Sequence, residues 1–594
     1  MSETSDARGS ASRSRRRQPV SARNRQYMIA PAGLGVTRQT LVDRLNKFEN
    51  IEILRTYAER ENICPPIAVV RAPDAAAAVL RRSVAGAFVI EPDHTLRAAS
   101  FVGALPQPPT LSAITAFGPG FTVTIQASSA SGGSIAHAAV QLVGEQATAQ
   151  GLTDRDGKVE LTLLGELPET VAELLIRARS GHWGLWRHRP ELRAGSVNNF
   201  ALEPLSLPEA LDWSGRAMRF DQLPAECRGG GSKIALIDSG VATSHKQLSK
   251  IAHGIDIRGG EQRSWSQDDI GHGTPCAGII SAAVADGRSI RGYAPESELH
   301  VCRLPADARC SDLVAALDYC LQREIDVACL GFGCERGSAI VEQRIAAAKQ
   351  QGVGIIAAAG NSSGAVLFPA SSPHVIAVGA IGQLGSYPDD SPQAAAAAAA
   401  VPIARGLFVP PFSCRGPELD LCAPGVAVIA CQSPDGYAIC DGTSVATAHV
   451  TALAALILAH HSDFKGGFAR RDFQRVERLF QVLKGTAQPV GHPWQTGAGL
   501  PDAARALGVW SAPQPPGATL NTELAEMRSA LRQLKRLHLG TDEANLFEPL
   551  RGPANVTQLP LNPVPWPFVA ERTAEAGVRE LRAAMMLAGL SDAR

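Results

Sequence analysis

Through residues 26–100, short apolar runs alternate with segments of helical spacing. YMIAPA, IEILRTY, IAVVRA and AFVIEPDHTL read as strands, and TRQTLVDRLNKF and DAAAAVLRRS as helices. The β-α-β-β-α-β order predicts a small ferredoxin-like α+β domain, which by itself carries no chemistry. Pro106, Pro108 and Pro109 then mark a linker. From 119 to 203 the apolar period falls to two: FTVTIQASS, AAVQLVGE, KVELTLL, AELLIRAR and NNFALEPL are short strands divided by Gly, Ser and Asp. A β-sandwich is expected, with a hairpin at TDRDGK whose bend begins at Asp156 and whose Gly157 takes positive φ.

From Ser232 to Leu507 strands and helices alternate, which predicts an α/β domain with a largely parallel sheet. IALID, ELHVCRL, DVACLGF, GIIAAAG and VIAVGAI are its strands; SDLVAALDYCLQR and SAIVEQRIAAAKQQ are helices. An insertion at 383–412 holds seven consecutive alanines, Ala394 to Ala400, which suit either a short helical lid or a low-complexity loop. Beyond Pro513–Pro516 two amphipathic patterns, LNTELAEMRSALRQLKRL and EAGVRELRAAMMLAGL, predict helices that pack on the preceding domain or bind a partner. The expected organisation is therefore a basic tail at 1–25, an α+β domain at 26–102, a sandwich at 103–205, a large α/β domain at 206–511 and a helical extension at 512–594.

Composition narrows the function. Lys+Arg and Asp+Glu balance at 57 each, so no global field favours nucleic acid or an anionic membrane as partner. The one strong bias is local, with Arg8, Arg13, Arg15, Arg16, Arg17, Arg23 and Arg25 among Ser, Ala and Gly; it reads as a disordered tail or as a docking arm. No apolar run follows these arginines, so the stretch is not read as a signal peptide, and a cytoplasmic protein is expected, with leaderless secretion as the other route. The longest apolar stretch, Val445–Ala459, reads as too short to span a bilayer. Twelve cysteines, eleven of them between Cys227 and Cys440, occur singly in apolar strings without a C-x-x-C pair, and read as small buried hydrophobes rather than zinc ligands.

Four segments concentrate the chemistry. KIALID ends in Asp238-Ser239-Gly240; Gly271-His272-Gly273-Thr274 opens an apolar helix; GIIAAAG ends in Gly360-Asn361; and Gly442-Thr443-Ser444 opens VATAHVTALAALIL. Each puts a polar residue at a strand C-terminus or helix N-terminus, the edge of a parallel sheet where ligands bind. A Ser hydroxyl needs an imidazole to take its proton, and the imidazole needs a carboxylate to fix its tautomer. A tetrahedral oxyanion needs donors placed in advance, which the Ser444 backbone N–H and the Asn361 amide supply.

Taken together, GHGTPCAG, AAAGN, FPASSPHVIAVGAI, FSCRGPELDLCAPG, DGTSVATAHV and the Asp-His-Ser order resemble the subtilase family over about 232–507. The resemblance implies a subtilisin-like fold and a serine endopeptidase, with Asp238 as orienting acid, His272 as general base and acid, Ser444 as nucleophile and Asn361 as oxyanion donor. It implies that 26–100 is a propeptide-like domain, an intramolecular inhibitor that is then cut, with cleavage at 95–108 or at 204–231. The sandwich resembles the transthyretin-like modules of bacterial hydrolases.

This chain departs from the family pattern in places. Pro275 replaces a His, Ala448 replaces a Pro, and the substrate strand reads Gly331-Phe332-Gly333 in place of Ser-Leu-Gly. Cys276 also occurs in the proteinase K-like branch, which implies sensitivity to thiol reagents. Substrate contacts are expected from Gly331, Phe332, Gly333, Ala358, Ala359, Gly360 and Leu367, whose lack of acidic groups favours apolar side chains in the substrate. No cofactor is assigned with certainty; the resemblance leaves structural calcium open, since calcium is common in the family, but no complete site is identified, and Asp268 and Asp269 could as easily cap and orient the His loop. The rival reading is a catalytically silent scaffold of the same fold. A narrower role, maturation of one partner precursor, is the other alternative.

Overall fold

The computed structural model describes residues 24–60, 62–83, 86–98, 120–207, 211–259, 264–284 and 290–509. The arginines before Asn24, the proline-marked linker and both C-terminal helical patterns lie outside the described residues. Two compact units divide the chain: residues to His94 together with Ser338–Gln343, and the remainder from Thr95 onward.

In the first unit an antiparallel sheet runs in the spatial order Glu52–Tyr57, Ile67–Pro73, Asn24–Pro31, Phe88–Pro92. Helices Arg38–Leu45 and Asp74–Ser83 cover it. Strand alternation decides the covered face: Tyr27 and Ile29 share a core with Ala68, Val70 and Ala72, closed by Leu41, Leu45, Ala77 and Leu80. The first helix begins where the Thr37 hydroxyl accepts the Thr40 N–H at 3.2 Å.

The second unit contains two small sheets and one large one. Leu185–His188, Val171–Arg177, Ala139–Gly144 and Thr148–Leu152 form one small sheet; Val197–Leu202, Phe121–Ser129 and Lys158–Leu163 form the other. Val123, Ile125 and Ala127, every second residue of their strand, face Val140, Leu142, Leu174 and Ile176 in a common core. The hairpin bend starts two residues earlier than expected. Asp154, not Asp156, accepts the N–H groups of Asp156 and Lys158, both at 2.9 Å. Gly157 has φ +74°, and a Cβ there would lie 2.4 Å from the Ala127 carbonyl oxygen.

The large sheet carries the chemistry-bearing segments. Its parallel strands lie in the order His253–Asp256, Glu298–Arg303, Lys233–Asp238, Val327–Leu330, Gly354–Ala358, Ile376–Gln383, extended by antiparallel Leu407–Val409 and Val401–Pro402. Leu421–Pro424 pairs in parallel with Ile376–Gln383. The strands are apolar on both faces because helices cover both. The apolar stretch near 445 is longer than the sequence suggested: helix Thr443–His460 has eighteen residues, enough by length and composition to cross a membrane, and its apolar window is 89% buried in this core.

The alanine run forms helix Pro392–Ala398, capped by the Ser391 hydroxyl, and it belongs to an apolar cluster rather than a free lid. Ala394 packs with Tyr387, Phe408 and Val426, joined by Trp183 from the loop before strand Leu185–His188. The same flank is tied by Gly181 N–H to the Tyr437 carbonyl at 2.8 Å, by Trp186 N–H to the Asp390 carbonyl at 2.6 Å, and by an Arg187–Asp390 ion pair at 2.7 Å.

Candidate active site

Asp238 closes the strand Lys233–Asp238, His272 stands immediately before helix Gly273–Ser281, and Ser444 is the second residue of helix Thr443–His460. Asn361 lies three residues past the strand Gly354–Ala358. His272 Nδ1 donates to Asp238 Oδ1 at 2.5 Å, with the pair 3% and 0% exposed. Gly331 lies where the three side chains meet. A Cβ on it would stand 2.5 Å from Asp238 Oδ2, 2.9 Å from His272 Cε1 and 3.4 Å from Ser444 Cβ. At this junction His272 Nε2, Ser444 Oγ and Asp238 Oδ2 are buried without a hydrogen-bond partner, as is Nδ2 of Asn361, whose amide oxygen binds Thr443, the residue before Ser444. Buried polar atoms are nearly always satisfied within the protein, so this grouping suits an outside reactant. Ser444 and His272 do not hydrogen-bond each other at rest, which is common before substrate aligns them.

A frame of hydrogen bonds fixes the His loop. Ser239 N–H donates to Asp238 Oδ1 at 2.7 Å, while the Ser239 hydroxyl accepts Gly273 N–H at 3.0 Å and donates to Asp268 Oδ1 at 2.7 Å. Asp268 also accepts Gly271 N–H at 2.8 Å and, on its other oxygen, the N–H and hydroxyl of Thr274 at 2.8 and 2.5 Å. With both oxygens engaged, Asp268 does not fit a cation; Asp269 pairs instead with Arg303 at 2.8 Å.

Burial pushes the His272 imidazole toward its neutral form, but the charge and hydrogen bond of Asp238, with the charge of Asp268, outweigh it and leave the pKa above the ordinary value of 6.5. The neutral ring is the proton acceptor, so any reaction needing it is lost as pH falls through this raised value. The acid limb of a kcat/KM profile is therefore expected to have its midpoint above 6.5, the value for an unperturbed histidine. A midpoint below it would contradict the Asp238–His272 coupling.

The Asn361 amide is oriented by a residue that the sequence reading left unassigned. Thr443 donates both its N–H and its hydroxyl to Asn361 Oδ1, at 3.0 and 2.9 Å, and its hydroxyl accepts Gly360 N–H at 3.1 Å. Nδ2 is thereby left as the free donor. Position inside GTS was the available signal for Thr443, and position inside DSG for Ser239.

Of the expected substrate contacts, several converge on Leu367. Its N–H donates to the Ala359 carbonyl at 2.9 Å, and a Cβ on Gly360 or Gly333 would lie 2.6 or 3.2 Å from its side chain. Phe332 meets His272 edge-on at 5.6 Å between ring centres. Ala358 ends its strand fully buried. Phe332 and Gly333 pair antiparallel with Ala98 and Arg97. On the opposite side, Leu96 N–H donates to the Ala308 carbonyl at 2.7 Å and Thr95 bridges Arg309. An extended four-residue stretch thus lies between two walls, 308–309 and 332–333.

Comparison with known proteins bears on this arrangement. The model of the Subtilase family matches residues 229–499. Subtilisin DY of Bacillus licheniformis is 30% identical over 281 residues, 46% of this chain and 89% of that protein. Subtilisin BL of Lederbergia lenta is 33% identical, covering 47% and 91%. M-protease of Shouchella clausii is 32% identical, and the chain spans 64% of its length.

Proposed function

The chain belongs to the subtilase family as a subtilisin-like serine endopeptidase, and from that premise we propose that Ser444 is its nucleophile, His272 its general base and acid, Asp238 the orienting carboxylate and Asn361 an oxyanion donor. The observation that carries this reading is the cluster of unpartnered buried atoms around Gly331. Ser444 Oγ attacks the scissile carbonyl while His272 Nε2 takes its proton, and Asp238 Oδ1 holds the Nδ1–H and stabilises the imidazolium. The Asn361 Nδ2–H and the Ser444 N–H donate to the oxyanion. His272 then protonates the leaving amine, and water releases the acyl group by the reverse sequence.

A fluorophosphonate tests it: one label is expected, on Ser444, blocked by prior Ser444→Ala. An intact protein that takes no label would favour the silent scaffold. Asn361→Ala is expected to lower kcat by about 10²–10³-fold with little change in KM, a magnitude whose reference case is subtilisin itself. Equal loss in KM and kcat would instead point to a binding role.

The same reading extends to self-processing. Thr95–Ala98 is read as taking a substrate's place; the pairing of Ala98 with Phe332 supports this, since the next register position on the opposing strand is Gly331 at the proposed triad. Cleavage is therefore proposed within two residues past Ala98, so that the domain before it is released after acting as inhibitor and the sandwich stays on the mature enzyme. The ties from Gly181, Trp186 and Arg187 support retention of the sandwich. The apolar surroundings of Leu367 favour apolar substrate residues. Twelve thiols, none in a disulfide, suit a reducing compartment such as the cytoplasm, where one dedicated protein substrate is proposed.

A further inference from the structure

Two of those thiols stand at corresponding points of the cleft. Thr95 bridges Arg309, and the next residue is Cys310, first of helix Cys310–Gln322; Arg97 pairs with Gly333, and the next residue is Cys334. Their Sγ atoms are 4.0 Å apart, 0% and 8% exposed. Between Thr95 and Arg97 the side chain of Leu96 is 1% exposed. Cys334 is also locked into its wall, exchanging backbone hydrogen bonds with Phe368 at 2.7 and 2.9 Å. The hydrogen bond from Cys310 holds the Cys334 thiol below its ordinary pKa against the opposing effect of burial, which raises its thiolate share.

The geometry points to a reversible disulfide between Cys310 and Cys334 that cross-links the two walls of the substrate cleft. Hydrogen peroxide, or another small peroxide, is the oxidant. Cys334 sulfur attacks a peroxide oxygen, giving a sulfenic acid and water; Cys310 sulfur then displaces the hydroxyl as a second water. Two thiols and one peroxide become one disulfide and two waters, and a dithiol reverses it. A disulfide needs the sulfurs about 2 Å apart, so each wall's end is drawn inward from the present spacing. The backbone bonds that hold an extended substrate beside Leu96's position are the ones displaced, whereas the triad lies at the other end, beyond Phe332.

This inference rests on reading 308–309 and 332–333 as the substrate walls. The test uses the full chain, reduced and then treated with peroxide. Mass mapping is expected to find one disulfide-linked peptide pair containing Cys310 and Cys334, two hydrogens lighter than the free pair and abolished in Cys310→Ser. KM for a four-residue peptide anilide is expected to rise roughly five- to tenfold, the worth of about one backbone hydrogen bond. Its kcat, and the KM of a dipeptide anilide too short to reach 308–309, should hold, and dithiothreitol should restore the first KM.

Linkage of another cysteine pair in its place, Cys310 and Cys334 both recovered unlinked, or an equal KM rise in Cys310→Ser would overturn the proposal. So would linkage with no change of KM in an active enzyme. An enzyme inactive before oxidation would fault the proposed function instead, and the linked peptide would still decide this site.

Discussion

Ser444→Ala is expected to abolish peptide hydrolysis and self-shortening together, lowering kcat by about 10⁶-fold, the size known for subtilisin itself rather than one obtained from this geometry. The substitution removes one oxygen atom from a side chain that is fully buried and makes no hydrogen bond, so it leaves no partner stranded. Folding should be untouched, and near-ultraviolet circular dichroism should overlay that of the wild type. Intact mass after incubation gives the measurement. Wild-type protein should lose the segment ending just past Ala98, while the variant stays at 62.4 kDa. A variant that shortens at the wild-type rate would remove Ser444 from the mechanism.

The second large effect is expected from Asp238→Asn, about 10⁴-fold in kcat with little change in KM. Asp238 Oδ1 accepts two donors, His272 Nδ1–H at 2.5 Å and Ser239 N–H at 2.7 Å. An amide can satisfy the second only by keeping its oxygen there. If the amide turns its NH₂ toward His272 instead, the ring must accept at Nδ1 and carry its proton on Nε2, where Ser444 needs an acceptor. Either way the imidazolium loses its counter-charge. The acid limb should also move to lower pH, because the charge and hydrogen bond that raise the His272 pKa are removed. An unshifted limb would show that Asp238 does not set it.

How much of this was legible before the structure depended on the range of the interaction. Asp238 announced itself because the strand before it and the glycine two residues after it are neighbours in sequence. Gly240 has φ +109°, and a Cβ there would stand 2.0 Å from the Gln267 carbonyl oxygen, so no other residue fits. The helix starts at Gly273 and Thr443 were equally local. Asp268 was left undecided between cation and loop because its four donors come from Ser239, Gly271 and Thr274, and only the fold shows that they exhaust it.

The alanine run gave high helix propensity, but propensity does not say where a helix ends or what it touches. Ordered packing came from Trp183 and Val426, distant in sequence. Within TDRDGK, composition could not separate Asp154 from Asp156 as the start of the bend, since both are aspartates followed by a small turn. The nearness of Cys310 to Cys334 was invisible, because the two follow different strands and meet only across the cleft.

Family likeness begins at residue 229, yet the interior of the catalytic core extends upstream of it. Trp213 Nε1–H donates to the Ala427 carbonyl at 3.2 Å, and His449, on the Ser444 helix and held neutral by burial with its pKa lowered to about 4, has its Nε2 3.0 Å from the Ser214 hydroxyl oxygen. Still further upstream, the buried Arg177 guanidinium lies near Asp441, three residues before Ser444. The smallest fragment expected to fold is therefore larger than the segment matched by the family. A protein expressed from 229 onward would leave His449 without its hydroxyl partner, the buried Asp441 without its counter-charge and the Tyr387 cluster open to water, and it should be recovered as aggregate.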